Sequence, residues 1–260
     1  MCIRDSFHKK FTRVLNLAQR RKNIMMYGPT GSGKSHLGEM VATALDLPFY
    51  SISCTAGMSE GQVTGRLLPV KDNGAFDYVP AEFVKAYEEG GVFLLDEMDA
   101  ADPNVLLIIN SALANKRMPI VNRPENPVAF MHEDFVMMAG CNTVGTGADR
   151  MYSGRAQLDA STLDRFNIGK VLVEYDHELE TQLITDRTLR ETCWTIRKNI
   201  LDNRLERAMS LRFMLDSMEM MEDWTINECL EGFFQGWRSD EVAKAVRGVN
   251  TDYLPEGILI

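Results

Sequence analysis

The chain has 260 residues, of which 45% are hydrophobic and 25% are charged, and its formal net charge is -9. This length and apolar content allow one large domain or a core with a smaller domain, while the acidic balance argues against a broad nucleic-acid-binding surface. The sequence contains no run of eighteen apolar residues and begins without the apolar core of a signal peptide, so we expect a cytoplasmic protein without a membrane span.

The first predicted elements are a short buried strand and a helix, joined by a glycine-rich loop. Ile24–Tyr27 form an apolar run that ends at a glycine, which favours a strand. Apolar residues then recur at helical spacing from Leu37 to Leu45. Between the two, the pattern G-x-x-x-x-G-K-[ST] predicts a phosphate-binding loop. The candidate nucleotide-binding residues of this segment are Gly28, Pro29, Thr30, Gly31, Ser32, Gly33, Lys34, Ser35 and His36.

The chemistry expected of this loop follows from its hydrogen-bond donors and its charge. Glycines let backbone N–H groups turn toward phosphates, and the N-terminus of the following helix adds the positive end of its dipole. We expect Lys34 to reach the β- and γ-phosphates of ATP and the Ser35 hydroxyl to ligate Mg²⁺. The alternative is a glycine-rich turn that binds no ligand.

A second buried strand, residues 92–95, is followed directly by two carboxylates. We expect Asp96 to hold Mg²⁺ through its water shell and Glu97 to orient and deprotonate the attacking water. The alternative is a capping cluster, in which Asp99 or Asp102 begins the next helix. Because a small-molecule kinase needs an acceptor pocket where Glu97 stands, the pair favours an ATPase.

A third apolar run, residues 135–139, leads to Asn142 just beyond its end. The side-chain amide of Asn142 is suited to help place the water near the γ-phosphate. Asparagine before Thr-Val-Gly is also ordinary turn chemistry. The order of this segment, after the loop and the acidic pair, favours the catalytic interpretation.

These motifs, in this order, resemble those of the AAA+ ATPases. Residues 28–35 are similar to Walker A, "VFLLDE" to Walker B, and Asn142 to sensor 1. The segment "LDASTLDRF", residues 158–166, resembles the arginine-finger segment of the MoxR group, particularly its cobaltochelatase-ATPase-like (CobS-like) members. The segment "SLR", residues 210–212, is similar to sensor 2, although Leu211 stands where proline is common. The resemblance covers residues from about 20 to 215.

The resemblance implies an α/β fold, a P-loop NTPase αβα sandwich with a parallel sheet, followed by a small all-helical lid domain. The core would comprise residues 1–175, with "KVLVEYD" as its last strand. The lid would comprise residues 176–260, where the apolar spacing predicts successive amphipathic helices. The methionines of that region recur at helical spacing, which is typical of core positions.

Several arginines are candidates for contacts with phosphate. By resemblance, Arg165 is the arginine finger, which stabilises the transition-state charge across a subunit boundary, whereas a local ion pair with Asp164 is the alternative. Arg155 and Arg150 compete for the same role. Arg212, in the lid, would reach the γ-phosphate of its own subunit, or would form a salt bridge between lid and core.

Two predicted inserts interrupt the core, near residues 68–80 and 115–131. The Asp72-Asn73-Gly74 sequence is a hairpin turn signal, and the prolines of the second stretch predict an irregular hairpin. By resemblance these are the helix-2 insert and the pre-sensor hairpin, which face the central channel of a ring; the alternative is two ordinary surface hairpins. The side chains that favour the channel-facing interpretation are Phe76, Tyr78, Lys116 and Arg117.

The function implied is an ATP-hydrolysing, ring-forming motor of the MoxR and CobS-like type. Such a motor would form a homo-oligomer, expected to be hexameric, and would remodel a partner protein or assist metal insertion, with a von Willebrand-type domain protein as its partner. One alternative is a nucleic-acid motor or loader on the same core, favoured by the basic residues of the second insert. Another is a nucleotide-dependent switch that hydrolyses slowly and acts as a scaffold.

Overall fold

The computed structural model describes residues 7–69 and 76–257, and its contacts divide the chain into two compact units. The first, called the sheet unit here, consists of the described parts of Lys10–Gly28 and Lys34–Val173. The second, the helical unit, combines Pro29–Gly33 with the described parts of Met1–Lys9 and Glu174–Ile260. The tip of the predicted phosphate-binding loop is therefore grouped with the helical unit.

Strands and helices alternate through the sheet unit, and helices follow it. The strands are β1 (Ile24–Tyr27), β2 (Phe49–Ser53), β3 (Arg66–Pro69), β4 (Phe76–Val79), β5 (Gly91–Asp96), β6 (Arg117–Pro119), β7 (Val128–Phe130), β8 (Phe135–Cys141) and β9 (Lys170–Leu172). The helices are α1 (Phe11–Gln19), α2 (Lys34–Ala44), α3 (Gly61–Thr64), α4 (Glu82–Glu89), α5 (Pro103–Asn115), α6 (Ala160–Arg165), α7 (His177–Leu183), α8 (Arg187–Asp202), α9 (Leu211–Met220), α10 (Ile226–Phe234) and α11 (Ser239–Ala245).

Five of the strands form a parallel sheet in the order β2-β5-β8-β1-β9. Its side chains alternate between two cores: Met25 packs with residues of α4 and α5, whereas Ile24 and Met26 pack with residues of α1 and α2. Because helices cover both faces, the central strands are apolar along their whole length instead of alternating between apolar and polar residues. The predicted αβα sandwich with a parallel sheet is confirmed.

The strand order decides which chain segments meet at the site. β5, β8 and β1 are consecutive neighbours in the sheet, and their parallel pairing brings their carboxyl ends to one edge. Gly28 follows β1, Asp96 ends β5, and Asn142 follows β8. Ligands of open α/β sheets bind outside this edge, so the fold gathers the three predicted motifs in the place where a nucleotide would be bound.

Two antiparallel hairpins interrupt the sheet unit, β3–β4 and β6–β7. The Asp72-Asn73-Gly74 turn of the first lies outside the described residues. Tyr78 of β4 is packed: its hydroxyl donates to the Thr64 carbonyl at 2.5 Å, and the Arg123 guanidinium lies 5.8 Å from its ring centroid. Since Arg123 also forms a bidentate ion pair with Glu88 of α4, this side chain joins the second hairpin to the first.

The helical unit has its own apolar core. Met209 and Met214 are fully buried in it, and Met218 and Met221 pack against it, as the helical spacing of the methionines predicts. The prediction is wrong for Met220, which is 38% exposed. Side-chain caps begin four of its helices: Asp176 for α7, Asp186 for α8, Ser210 for α9 and Thr225 for α10. Each cap satisfies a backbone N–H group that a helix N-terminus leaves without an intrahelical acceptor.

The cysteines of the described residues are buried free thiols at positions 54, 141, 193 and 229. Burial raises the pKa of Cys54 to about 12, so this thiol is protonated and unreactive at neutral pH.

Among the described residues, no helix has the length and apolar character that crossing a membrane requires.

Candidate nucleotide-binding site

The loop after β1 begins with a glycine that no other residue can replace without movement of the backbone. Gly28 has φ +149, and a Cβ placed on it would lie 2.2 Å from the carbonyl oxygen of Val173. Its N–H donates to the carbonyl of Cys141, at the end of β8, at 3.2 Å. The turn is therefore fixed against two neighbouring strands before the chain reaches α2.

Lys34, the first residue of α2, is buried among the site residues. Its Nζ donates to the Gly28 carbonyl at 2.9 Å and to Asn142 Oδ1 at 3.1 Å. Burial lowers the pKa of Lys34, and the negative charge of Asp96 opposes that shift. A buried ammonium group at the edge of the sheet fits an anionic ligand such as a phosphate chain.

Ser35 and Asp96 present hard oxygen atoms side by side. The Ser35 hydroxyl donates to Asp96 Oδ2 at 2.7 Å. The described residues contain no cluster of three or more histidine, cysteine or acidic side chains able to hold a metal ion. Magnesium ordinarily takes one or two protein oxygens together with substrate phosphates and water, and this hydroxyl–carboxylate pair fits that requirement.

The second acid, Glu97, occupies an unusual backbone position. Its φ and ψ are 55 and 38, in the left-handed region that non-glycine residues rarely adopt. Its side chain is 44% exposed, and Oε2 lies 2.5 Å from Nη2 of Arg155. Arg155, considered from the sequence as a competing finger, is therefore engaged within its own chain.

Of the two acids considered as helix caps, only Asp102 caps α5, by accepting from the N–H of Asn104 at 2.8 Å. Asp99 is fully buried, and its Oδ2 accepts from the backbone N–H groups of Asn142 and Thr143. The capping interpretation is wrong for Asp99. The sequence offered no signal for this contact, because it joins segments that only the β5–β8 pairing brings together.

A second feature that the sequence did not reveal is Gly140 in β8. A Cβ on Gly140 would lie 2.5 Å from Asp96 Oδ1. Glycine at this position leaves room for the Asp96 carboxylate between the ends of the two strands. A glycine within an apolar strand is the signal that a close approach exists, although it does not identify the approaching group.

The loop tip, Pro29–Gly33, contacts two other segments of the helical unit. The Tyr175 hydroxyl donates to the Thr30 carbonyl at 2.8 Å. Gly31 has φ +67, and a Cβ on it would lie 2.5 Å from Cβ of Ser210, the N-cap of α9. Ser32 Oγ is buried and has no hydrogen-bond partner among the described residues, as expected of a hydroxyl that faces a ligand site.

The remaining predicted site residues are exposed. Ser35 and His36 lie at the start of α2, and His36 Nδ1 is 3.6 Å from Glu39 of the same helix. Arg212 belongs to the first turn of α9 and lies two residues after Ser210, the residue that contacts Gly31. Its guanidinium is thus carried by the helix whose N-cap packs on the loop tip.

Arg165 lies at the opposite end of β1 from the loop. It ends α6, and its carbonyl accepts from Nδ2 of Asn23, the residue before β1, at 3.2 Å. The four residues of β1 span about 13 Å, so Arg165 does not join Lys34 in its own chain. Its Nε is buried without a hydrogen-bond partner among the described residues. Asp164, considered as its ion-pair partner, instead accepts from Asn167 Nδ2 at 2.6 Å.

The side chain of Arg165 lines a pocket of about 650 Å³ in the sheet unit. The other cationic residues that line it are Arg20, Arg21, Lys22 and Lys116. Arg21 forms an ion pair with Asp134. Since the whole chain carries a formal charge of -9, this pocket is a local concentration of positive charge.

Comparison with known proteins identifies the type of domain. The family model for the AAA domain of the dynein-related subfamily matches residues 23–166. An uncharacterized protein of Staphylococcus saprophyticus is 25% identical over 236 residues, covering 85% of this chain and 86% of the relative. One of Staphylococcus haemolyticus is 24% identical over 242 residues, covering 87% and 88%.

Solved structures show the same fold at low sequence identity. A protein from Cytophaga hutchinsonii proposed to be an ATPase is 16% identical with a TM-score of 0.55, covering 93% of this chain and 76% of that chain. The RuvB Holliday junction branch migration motor of Thermotoga maritima is 16% identical with a TM-score of 0.52, covering 95% and 70%. NtrX of Brucella abortus, solved in complex with ATP, is 15% identical with a TM-score of 0.57, covering 96% and 55%.

The Tyr175 contact yields a test of the loop tip. Tyr175→Phe removes only the hydroxyl that holds the Thr30 carbonyl, and a hydrogen bond of this kind contributes about 1 kcal/mol. We expect the affinity for ATP to fall about fivefold, because the loop must then be ordered by the ligand. The measurement is equilibrium binding of a fluorescent ATP analogue.

Tyr253→Phe is the matched control, because Tyr253 is a half-buried tyrosine of the helical unit, as Tyr175 is, and packs against its apolar core. Equal affinities for the Tyr175→Phe variant and the unmodified protein would show that the contact does not order the loop.

Proposed function

Because the chain belongs to the dynein-related subfamily of AAA domains, we propose that it is a ring-forming motor of the MoxR type, which uses its ATPase activity to remodel a partner protein. The chain is an ATP-hydrolysing P-loop NTPase; its ring form and its client are the subject of the proposal. The observation that carries the chemistry is the meeting of Lys34, Ser35, Asp96 and Asn142 at the carboxyl edge of one parallel sheet.

Each of these residues has a distinct role in the proposal. Lys34 binds the β- and γ-phosphates, while Ser35 and Asp96 hold the magnesium ion. When bound, magnesium neutralises part of the charge on the phosphates. Glu97 accepts the proton of the attacking water, and Asn142, already oriented by its bond to Lys34, positions that water.

The location of Arg165 supports a role in a neighbouring subunit. It lies at the amino end of β1, remote from the loop of its own chain, and its Nε lacks a hydrogen-bond partner among the described residues. An arginine that lies far from the phosphate-binding loop of its own chain is available to reach the γ-phosphate bound by a neighbour. In the proposed homo-oligomer, expected to be a hexameric ring, Arg165 is the finger that acts across the boundary.

Arg212 is proposed to contact the γ-phosphate bound by its own chain. Its helix, α9, begins at Ser210, which packs against Gly31 of the loop tip. The Arg212 guanidinium, exposed and two residues beyond that contact, would respond to the phosphate group. This gives the helical unit a means of sensing the nucleotide, as expected of a lid.

The two hairpins support a protein client. Phe76, Val121 and Phe130 are 63%, 85% and 66% exposed, and these apolar side chains are the candidate contacts for a protein client. The proposal includes two more specific forms of this activity. The client binds through a von Willebrand-type partner protein, or the motor assists the insertion of a metal. Lys116 and Arg117 favour the alternative of a nucleic-acid motor.

The assigned roles separate nucleotide binding from hydrolysis. Lys34→Ala should abolish ATP binding, because it removes the buried cation that meets phosphate. Glu97→Gln should bind ATP normally and hydrolyse it at least a hundredfold more slowly, because only the proton acceptor is lost. Equilibrium binding and steady-state phosphate release are measured for both. If Glu97→Gln hydrolysed ATP at the normal rate, Glu97 would not be the base. If the unmodified protein itself hydrolysed ATP slowly, the result would favour the alternative of a nucleotide-dependent switch that acts as a scaffold.

Mixing of variants tests the finger and the ring together. Arg165→Ala should bind ATP as the parent does but hydrolyse it about 10³-fold more slowly. An Arg165→Ala subunit keeps its own Glu97, and a Glu97→Gln subunit keeps its finger, so a mixed ring contains some complete sites. We expect each variant alone to be nearly inactive and the mixture to regain part of the activity. No recovery on mixing would contradict a finger that acts in trans.

Stimulation of ATP turnover distinguishes the two kinds of client. Casein, an unfolded protein with exposed apolar segments, should raise the turnover, whereas duplex DNA at low salt should not, because the net charge of -9 repels its phosphates. Phe130→Ala should weaken the stimulation by casein. Leu201→Ala, which truncates a similarly exposed side chain in α8, is the control. If duplex DNA raised the ATP turnover and casein did not, the substrate of the motor would be a nucleic acid and not a protein.

A further inference from the structure

Asp99 is a buried carboxylate beside the proposed hydrolytic residues, and none of the roles above uses it. Its side chain is 0% exposed. Its Oδ2 accepts three hydrogen bonds: from the N–H of Asn142 at 3.1 Å, and from the N–H and the hydroxyl of Thr143 at 2.9 Å each. A single oxygen thus fixes the backbone of the segment that carries Asn142.

The other oxygen of this carboxylate faces Arg155. Oδ1 of Asp99 lies 3.7 Å from Nε of Arg155, while Nη2 of the same guanidinium contacts Glu97 Oε2 at 2.5 Å. The carbonyl of Asp99 also accepts from the N–H of Ala156 at 2.7 Å. The planar guanidinium therefore lies within ion-pair distance of Asp99 at one edge, without a hydrogen bond to Oδ1 among the described residues, and contacts the Glu97 carboxylate at the other.

The backbone of Glu97 shows that its placement is built into the fold. A non-glycine residue in the left-handed region is uncommon, and such conformations persist where the surrounding structure determines them. Arg155 is itself only 12% exposed. A half-exposed glutamate held by a nearly buried arginine differs from the solvated ion pairs that form and break freely at a protein surface.

We propose that Asp99 and Arg155 are positioning residues for ATP hydrolysis. Asp99 fixes Asn142 through its backbone, and Arg155, itself held by Asp99, sets the direction of the Glu97 carboxylate. The proposal rests on the assigned roles of Glu97 and Asn142 and adds a cis role for Arg155, which excludes it as a finger. One buried carboxylate thereby couples the two groups that handle the attacking water.

Substitutions at Arg155 test this role. Arg155→Gln should lower kcat at least tenfold while the affinity for a slowly hydrolysed ATP analogue stays within threefold, because no phosphate contact is lost. Arg155→Lys should restore part of kcat, since it keeps the charge but not the fork that spans two carboxylates. Asp99→Asn should also lower kcat selectively. Arg13→Gln, at an exposed position in α1, controls for the change in net charge.

A double variant separates positioning from a general structural effect. If Arg155 acts through Glu97, adding Arg155→Gln to Glu97→Gln should lower the residual single-turnover rate no further. Mixing Arg155→Gln with Glu97→Gln subunits should recover no activity, because both changes damage the same site, whereas Arg165→Ala should complement Glu97→Gln. Recovery with Arg155→Gln would overturn the cis role.

Three further outcomes are decisive. A wild-type kcat in Arg155→Gln, with Glu97→Gln inactive, would overturn this inference and leave the proposed function intact. A loss of ATP binding and of thermal stability in Arg155→Lys, in proportion to its loss of kcat, would show a merely structural role. If Asp99→Asn does not fold, the Arg155 variants carry the test alone. Normal turnover in Glu97→Gln would instead remove the assigned base, which is a failure of the proposed function itself.

Discussion

A buried ammonium group at the edge of the sheet is the constraint around which this site is organised. Lys34 has lost most of its hydration, and removing a charge from water is costly unless dipoles or opposite charges replace the solvent. The Gly28 carbonyl and Asn142 Oδ1 supply dipoles, and Asp96 supplies a nearby negative charge. These three groups come from the ends of three adjacent strands, so the strand order is what makes the buried lysine possible.

The same edge is stabilised by a second buried charge, Asp99. Its Oδ2 satisfies three donors of the Asn142–Thr143 segment, and Arg155 lies against its other oxygen. A buried charge with several hydrogen bonds and a cationic neighbour favours a single arrangement of the groups around it. The segments after β5 and β8 are thereby held together beyond the last hydrogen bonds of the sheet.

The helical unit contains a comparable buried network. Glu180 is fully buried and pairs with Arg197, whose guanidinium lies 3.9 Å from the ring centroid of Tyr175. Tyr175 in turn bonds the Thr30 carbonyl of the loop tip. Thr30 is joined to Lys34 through the chain itself, so a series of short contacts leads from the core of the helical unit to the phosphate-binding loop.

The sequence by itself determined the parts of this protein that are local. The strand–loop–helix at Lys34, the acids Asp96 and Glu97 at the end of a buried strand, and the helical character of the C-terminal region are each encoded by neighbouring residues with a clear period or motif. The parallel αβα sandwich followed from the alternation of strand and helix patterns along the chain. The family resemblance, which rests on the same local motifs, supplied the assignments that periodicity does not give.

Only the tertiary structure decided the contacts between distant segments. Asp99 bonds Thr143, 44 residues away, and Tyr175 bonds Thr30, 145 residues away. Tyr78, which the sequence offered as a channel-facing side chain, bonds the Thr64 carbonyl of its own chain. An isolated carboxylate or hydroxyl has no periodicity, and the energy of its burial depends on partners that strand pairing brings near. The sequence therefore predicts which elements form, whereas the tertiary structure determines which polar groups those elements enclose.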